Sequence, residues 1–394
     1  MIGRIVWFPV GWGMFGLLED HSEDHTDIVI TDGGSNSHCY HYAMESIRNT
    51  LHKYLKNGQN YKWIISHFDY DHFSLVGELI KNNELNRPDE CFVPATYSTC
   101  KDTLVRYLAL EDLILSKVIR YISYPEALGQ LRNCKRITPV GSGKTLDTSN
   151  FTFQFIWPDT HTSESDCSEL SEKIRQKVDK YCKEHAGEYE GGYNGCLRRY
   201  QEIFEQIYSN IKEIPSEGGN EGEGQTRLRY DKVSPEHTFS DKICIAELIQ
   251  YRSIIDHELA DIRRNALNYF SLGYILSPKL KTDYIGIIKN NILPAFPLFT
   301  KFISGSKNFL LFLGDMEYNA INNALRDRPK KYEIVIAAHH GNSYGGFVRG
   351  KIAILSRCDL HVPRSWRNVR REYRRNFTLN ITTGHSNTVE IRLF

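Results

Sequence analysis

The segment Ser66-His67-Phe68-Asp69-Tyr70-Asp71-His72 carries the strongest chemical signal in the chain. His67, Asp69, Asp71 and His72 fall within six residues, directly after the apolar run Trp63-Ile64-Ile65. Imidazole and carboxylate are the donors that hold hydrolytic divalent metals. The alternation at 67, 69 and 71 predicts three side chains on one side of an extended turn. His72 then adds a fourth from the first turn of the next helix. Apolar flanks argue against a merely solvated polar turn.

Three further segments have the same construction. Asp32-Gly33-Gly34 follows the apolar run Ile28 to Thr31, and Gly314-Asp315 follows Phe309 to Leu313. His339-His340-Gly341-Asn342-Ser343 follows Val335 to Ala337. Each puts an acid or imidazole at the end of a strand, where open α/β sheets build their sites. Asp315 alone fits a helix cap equally well. The shared placement is the reason to gather the four segments into one site.

The elements that must position these residues alternate. Strands are predicted at Arg4 to Pro9, Met14 to Leu18, Asp27 to Thr31, Trp63 to Ile65, Cys91 to Val93 and Phe151 to Trp157. Helical spacing marks His41 to Leu55, Phe73 to Asn82 and Leu104 to Ile122. Strands resume at Leu272 to Leu276, Tyr284 to Ile288, Phe309 to Leu313, Glu333 to Ala337 and Thr388 to Leu393. This rhythm predicts helices packed outside sheets. Residues 161–262 break it, being charge-rich and helical in pattern around the acidic glycine-rich loop 216–224. The reading is one α/β domain made of residues 1–160 and 263–394, with a mostly helical insertion at 161–262 that could serve a protein partner.

The 394 residues carry 49 Lys+Arg against 48 Asp+Glu, a net charge of +1, which excludes a globally polycationic or polyanionic protein. No apolar run approaches the length of a membrane span, and the N-terminus reads as strand, glycine turn and strand rather than as a signal peptide. Nine Cys are scattered with no Cys-x-x-Cys pair, so a reducing cytoplasm is the expected compartment.

Taken together, the motifs resemble the metallo-β-lactamase fold in its competence-protein, ComEC-like branch. There the usual His-x-His-x-Asp-His becomes His-x-Asp-x-Asp-His, as at His67, Asp69, Asp71 and His72. Val10-Gly11-Trp12-Gly13 and Asp32-Gly33-Gly34 resemble the branch's opening turns. Asn268-Tyr-Phe-Ser271-Leu272, Gly314-Asp315-Met316-Glu317 and His339-His340-Gly341 resemble its later motifs, with Asn342 intervening before Ser343. The resemblance implies an αββα four-layer sandwich and a dinuclear hydrolase that uses a metal-bound hydroxide. It implies His67 and Asp69 at one metal, Asp71 and His72 at the other, Asp315 bridging, and a His of the 339–340 pair closing one site. His339, directly after its strand, is the preferred ligand and His340 the proton donor, although the two roles can exchange. Asp32 would orient a ligand from behind. Asp69 in place of an imidazole makes the site richer in oxygen and favours Mn²⁺ or Mg²⁺ relative to an all-imidazole zinc site, with Zn²⁺ still compatible. The family's third-motif His has no equivalent, since His161, His185, His237 and His257 all lie in or beside the insertion.

The segment 364–375 reads RSWRNVRREYRR, six Arg against one Glu. On a helix, Arg367, Arg370, Arg371, Arg374 and Arg375 share one side. Either this face tracks phosphates, with Trp366 and Tyr373 free to stack on bases, or it is a solvated face paired with acids of the insertion. The function expected first is phosphodiester hydrolysis, as a nuclease. The alternatives are hydrolysis of a small ester, lactone or cyclic nucleotide, and a non-catalytic metal-binding regulatory subunit.

Overall fold

A computed structural model describes residues 3–36, 39–55, 59–67, 69–95, 136–159, 267–279, 284–290, 298–302, 308–356, 366–383 and 388–393, with isolated helical positions between 168 and 202. The expected helix at 104–122, nearly all of the insertion, and the four His named within or beside it lie outside the described residues.

The chain begins with β1 (Gly3–Trp7), β2 (Phe15–His21) and β3 (Thr26–Asp32), followed by α1 (Tyr40–Leu51), β4 (Lys62–Ile64), α2 (Tyr70–Lys81) and β5 (Glu90–Pro94). Then come β6 (Arg136–Val140), β7 (Thr145–Asp147), β8 (Phe151–Trp157), β9 (Gly273–Pro278), β10 (Tyr284–Asn290), β11 (Leu298–Phe302) and β12 (Leu310–Phe312). The chain closes with α3 (Tyr318–Ala324), β13 (Lys331–Ile336), β14 (Arg349–Leu355), α4 (Trp366–Asn376), β15 (Phe377–Thr382) and β16 (Val389–Leu393).

Among the described residues the strands form two mixed sheets. One has the order β11-β10-β16-β1-β2-β3-β4-β5-β6, and the other β15-β14-β13-β12-β9-β8-β7. β3 to β6 run parallel in the first sheet, and β12 to β15 run parallel in the second. Parallel strands end together, so the loops after β3, β4, β12 and β13 gather the chemistry-bearing residues.

The sheets face each other because every other residue of their strands is apolar on the inner side. Ile5, Trp7, Leu18, Val29, Ile64 and Phe92 meet Phe153, Phe155, Tyr274, Phe312, Ile334 and Ile352 in one buried cluster. Trp7 and Phe312 bring their rings within 6.2 Å, and Thr31 Oγ1 lies 2.9 Å from Tyr274 Oη across the interface. Burying each of these large side chains contributes about 1.5–3 kcal/mol. On the outer face of the second sheet, Ile275, Leu311 and Val335 pack with Ala320, Ile321 and Ala324 of α3 and Tyr373 of α4. α1 turns Ala43, Met44, Ile47 and Leu51 inward at helical spacing. α2 is tied to the first sheet by Leu75 and Val76 N–H groups, both donating to Gly33 O at 2.9 Å. The architecture is therefore an α/β sandwich with helices outside two facing sheets, as expected. No helix among the described residues is long and apolar enough to cross a membrane.

Candidate metal centre

The loop after β4 delivers His67, which is buried, and Asp69, whose side chain is 30% exposed and lies 3.4 Å from His67 Nε2. α2 starts earlier than its apolar spacing suggests. Asp69 is its N-cap and Tyr70 its first residue, with His72 N–H donating to Asp69 O at 2.9 Å. Asp71 and His72 therefore both come from the first helical turn, and the extended stretch ends at Asp69.

Asp32 closes β3 in a left-handed conformation, φ 55°. Its carboxylate is fully buried and accepts from Ser66 N–H at 2.7 Å, Ser66 Oγ–H at 2.9 Å and His72 Nδ1 at 2.8 Å. With Nδ1 of His72 committed to Asp32, Nε2 is the ring nitrogen turned to the cluster, 3.2 Å from Asp315 Oδ1. His67 is held by Ser66 Oγ at 3.1 Å and Ser271 Oγ at 3.3 Å, both at Nδ1, which again leaves Nε2 for the cluster. Gly34 permits this packing. A Cβ there would meet the carbonyl carbon of Asp71 at 2.4 Å and the amide nitrogen of His72 at 2.5 Å.

Asp315 is not a helix cap, because Glu317 holds the N-cap position of α3. Asp315 is buried, and its N–H donates to Ser271 Oγ at 3.0 Å. Gly314 before it has φ 51°, and a Cβ there would lie 2.3 Å from Ser271 Oγ. After β13 the chain makes a tight turn. His339 (φ 48°, ψ 52°) and His340 (φ 57°, ψ 21°) are both left-handed. Such backbone costs about 1–3 kcal/mol per residue and concentrates at functional sites.

The two histidines are placed differently. His340 is buried, with Nε2 3.2 Å from Asp71 Oδ2 and 3.4 Å from Asp315 Oδ2. His339 is 28% exposed, with Nε2 3.8 Å from Asp315 Oδ2. Of the pair, His340 rather than His339, the ligand preferred from sequence, joins a group of ligand atoms, in line with the exchange of roles the sequence allows.

Two groups of ligand atoms result, each with all its atoms within 4.8 Å of one another: His67, His72 and Asp315, and Asp71, His72 and His340. Asp69 and His339 stand at the margin. Among the described residues, His67 Nε2, His72 Nε2, Asp315 Oδ1 and both ring nitrogens of His340 are buried without a hydrogen-bond partner of good geometry. Buried polar atoms are nearly always satisfied. A cluster of orphaned imidazole and carboxylate donors aimed at one another fits one or two divalent cations.

Without metal, the acids and imidazoles of the cluster stabilise one another's charged forms. Burial alone would depress His72, but Asp315 and Asp32 hold its pKa well above the ordinary histidine value. Burial likewise opposes the charged form of His340, yet Asp315 and Asp71 push it up to about 10. Burial would raise Asp315, but the charges of His340, His72 and His339 hold it well below the carboxylate range. Asp71 is lowered despite burial by its contact with His340 and by the charge of His72. Burial depresses His339, outweighing Asp315.

The arginine segment forms α4 as expected. Arg371, Arg374 and Arg375 are exposed, and Arg375 pairs with Glu372 at 3.1 Å. The side chains of Arg367 and Arg370 lie outside the described residues. Tyr373 corrects the expectation of a free stacking ring. It is 1% exposed and packs edge-on to Tyr344 at 5.0 Å. Its spacing from Val369 belongs to the apolar side of the helix, which faces the second sheet.

No protein-family model and no curated protein matches the chain. Among solved structures it is similar to the metallo-beta-lactamase fold protein YhfI from Bacillus subtilis, at 8% identity over 96% of this chain and 95% of that one, with a TM-score of 0.33. It is also similar to a beta-lactamase domain protein from Burkholderia ambifaria, at 15% identity over 39% of this chain and 46% of that one, with a TM-score of 0.23.

Proposed function

We propose that the protein is a metal-dependent hydrolase of the metallo-β-lactamase type, acting on phosphodiesters as a nuclease. The observation that carries this reading is the set of buried, unpartnered Nε2 and Oδ atoms of His67, His72, His340 and Asp315 converging beside Asp71. The order of the motifs, which resembles the competence-protein branch, supports the same reading.

His67, His72, His340, Asp71 and Asp315 would hold two divalent cations; His72 is common to both groups of ligand atoms, and Asp315 of the first group also reaches His340 of the second, at 3.4 Å. Such cations supply Lewis acidity at a phosphoryl oxygen and acidify a water to near neutral pH. Mixed imidazole and carboxylate donors suit Zn²⁺ or Mn²⁺, and Mg²⁺ to a lesser degree. The chain's own groups do the remaining work. Asp32 and the Ser66 and Ser271 hydroxyls fix the ring orientation of His72 and His67. His339, kept neutral by burial at pH 7, can accept a proton at Nε2 on the margin of the site. The exposed Arg371 and Arg374 offer a cationic face for a phosphate backbone.

The test is a hydrolysis screen with Zn²⁺, Mn²⁺ and Mg²⁺ across single-stranded DNA, duplex DNA, RNA, a bis(p-nitrophenyl) phosphate dye and small esters and lactones. Metal-dependent cleavage of a nucleic acid is the expected result. Turnover of an ester or lactone with no diester cleaved would overturn the phosphodiester assignment.

A further inference from the structure

We propose that Tyr373 is a positioning residue that holds the His339–His340 turn in the conformation that brings His340 to Asp71 and Asp315. The inference rests on the metal reading above, and its test separates the two. The turn departs from ordinary backbone over three successive residues, His339, His340 and Gly341, all with φ between 48° and 86°. Two of these are not glycine, so the surrounding structure must impose the conformation.

From the β12 side, His339 N–H donates to Gly314 O at 2.9 Å. From the α4 side, a single hydroxyl spans the turn. Tyr373 Oη accepts from Ala338 N–H at 3.1 Å and donates to Ser343 O at 2.8 Å. These groups stand immediately before His339 and two residues after Gly341, so the phenol closes the turn from behind. The ring itself cannot yield, packed against Tyr344 at 5.0 Å and Phe377 at 5.7 Å.

Without the hydroxyl, the Ala338 amide, fully buried, loses its partner. A buried donor left unsatisfied is costly, and the local chain moves to recover a bond. The separations of 3.2 and 3.4 Å between His340 Nε2 and the two carboxylates depend on this backbone. The helix that displays arginines outward thus fixes a candidate ligand inward, from the residue between Glu372 and Arg374.

The experiment compares Tyr373→Phe with Tyr332→Phe in the full chain. Tyr332 is buried in the same apolar cluster, and its hydroxyl has no hydrogen-bond partner among the described residues, so its removal serves as the packing control. Two readouts are taken below the melting range of both variants: hydrogen exchange of the 338–343 amides in metal-free protein, and calorimetric titration with Mn²⁺ and Zn²⁺. Tyr373→Phe is expected to speed exchange at 338–343 and to weaken one metal equivalent by about tenfold. Tyr332→Phe is expected to leave both near wild type. Unchanged exchange in Tyr373→Phe, or equal changes in both variants, overturns the proposal. Faster exchange with unchanged metal affinity overturns the link to the site. If wild type binds no metal, the exchange readout still decides the strut, and the metal reading alone fails.

Discussion

Strand β3 carries a carboxylate near each end, and the two ends differ. At its start, Asp27 Oδ2 accepts from Ser149 N–H and Oγ–H, both at 2.9 Å, with His25 Nε2 3.4 Å away. Beside it, fully buried Asp20 accepts from Asn150 N–H and Nδ2–H, each at 2.7 Å. Aspartate, histidine and serine meet there, and both carboxylates spend their bonds on the β7–β8 turn, tying the β2–β3 hairpin to it; a single ring nitrogen, His21 Nε2, is left without a hydrogen bond among the described residues, 3.7 Å from Glu19 Oε1. At the other end, Asp32 is equally well bonded, but its partner His72 turns its Nε2 to Asp315 with no hydrogen bond of good geometry among the described residues. Residue types are shared between the two ends. What marks the second as a site is that unbonded atoms of several residues, His67, His72, Asp315 and His340, converge there, together with the left-handed backbone at Asp32, His339 and His340.

Substitutions can break that contrast. Asp315→Asn and Asp71→Ala should each lower metal-dependent hydrolysis by at least about a thousandfold, since each removes the carboxylate of one of the two groups of ligand atoms. Steady-state assays at saturating metal check this. Asp32→Asn should cost about 10–100-fold in metal affinity, because His72 loses the acceptor that fixes its tautomer. A metal titration measures it.

The pH dependence sharpens the contrast further. His72 and His340 are held above the ordinary value of 6.5, so in metal-free protein they bind protons at neutral pH. Their contribution to stability is full below pH 6.5 and is lost as pH rises through about 10 for His340. Asp71 and Asp315 are lowered, so their contribution is present above the ordinary 3.8 and is lost as pH falls below it. Metal-free protein should therefore melt progressively lower from pH 6.5 towards 10, while metal affinity climbs over the same range as protons are displaced. Thermal melts with and without metal show whether the two trends diverge.

Smaller effects follow. Arg371→Glu with Arg374→Glu should cut nucleic-acid cleavage about tenfold at low salt and leave dye cleavage unchanged. Equal losses on both substrates would remove the phosphate face from the account. Asp20→Ala, at the closed end of the comparison, should leave activity within about twofold while costing about 1–3 kcal/mol of stability. Denaturant titration and assay of the same preparation check both halves.

Much of this site was legible in the chain because parallel strands deliver their following residues to one edge. Apolar runs ending in Asp32, His67, Asp315 and His339-His340 were enough to assemble it. Backbone geometry was not legible. Nothing in the order His339-His340 reveals that two left-handed residues send the second inward and leave the first at the margin. The apolar spacing from Phe73 onward marks the body of α2 but not its first turn, because Tyr70 and Asp71 lack it. Tyr373 carried a readable signal in its spacing from Val369, which is an apolar stripe rather than an aromatic display. The strands β14 and β15 lie outside the expected rhythm: Ile352 to Leu355 is apolar throughout, but β15, at the sheet edge, mixes polar and apolar residues without a clear stripe.

The central claim is that the orphaned donors hold divalent cations. Its most direct test is metal stoichiometry by elemental analysis after reconstitution of the full chain, for wild type and Asp315→Asn. Two equivalents per chain, falling to one or fewer in the variant, is the predicted result. Less than one equivalent in wild type, or binding indifferent to Asp315, would contradict the account.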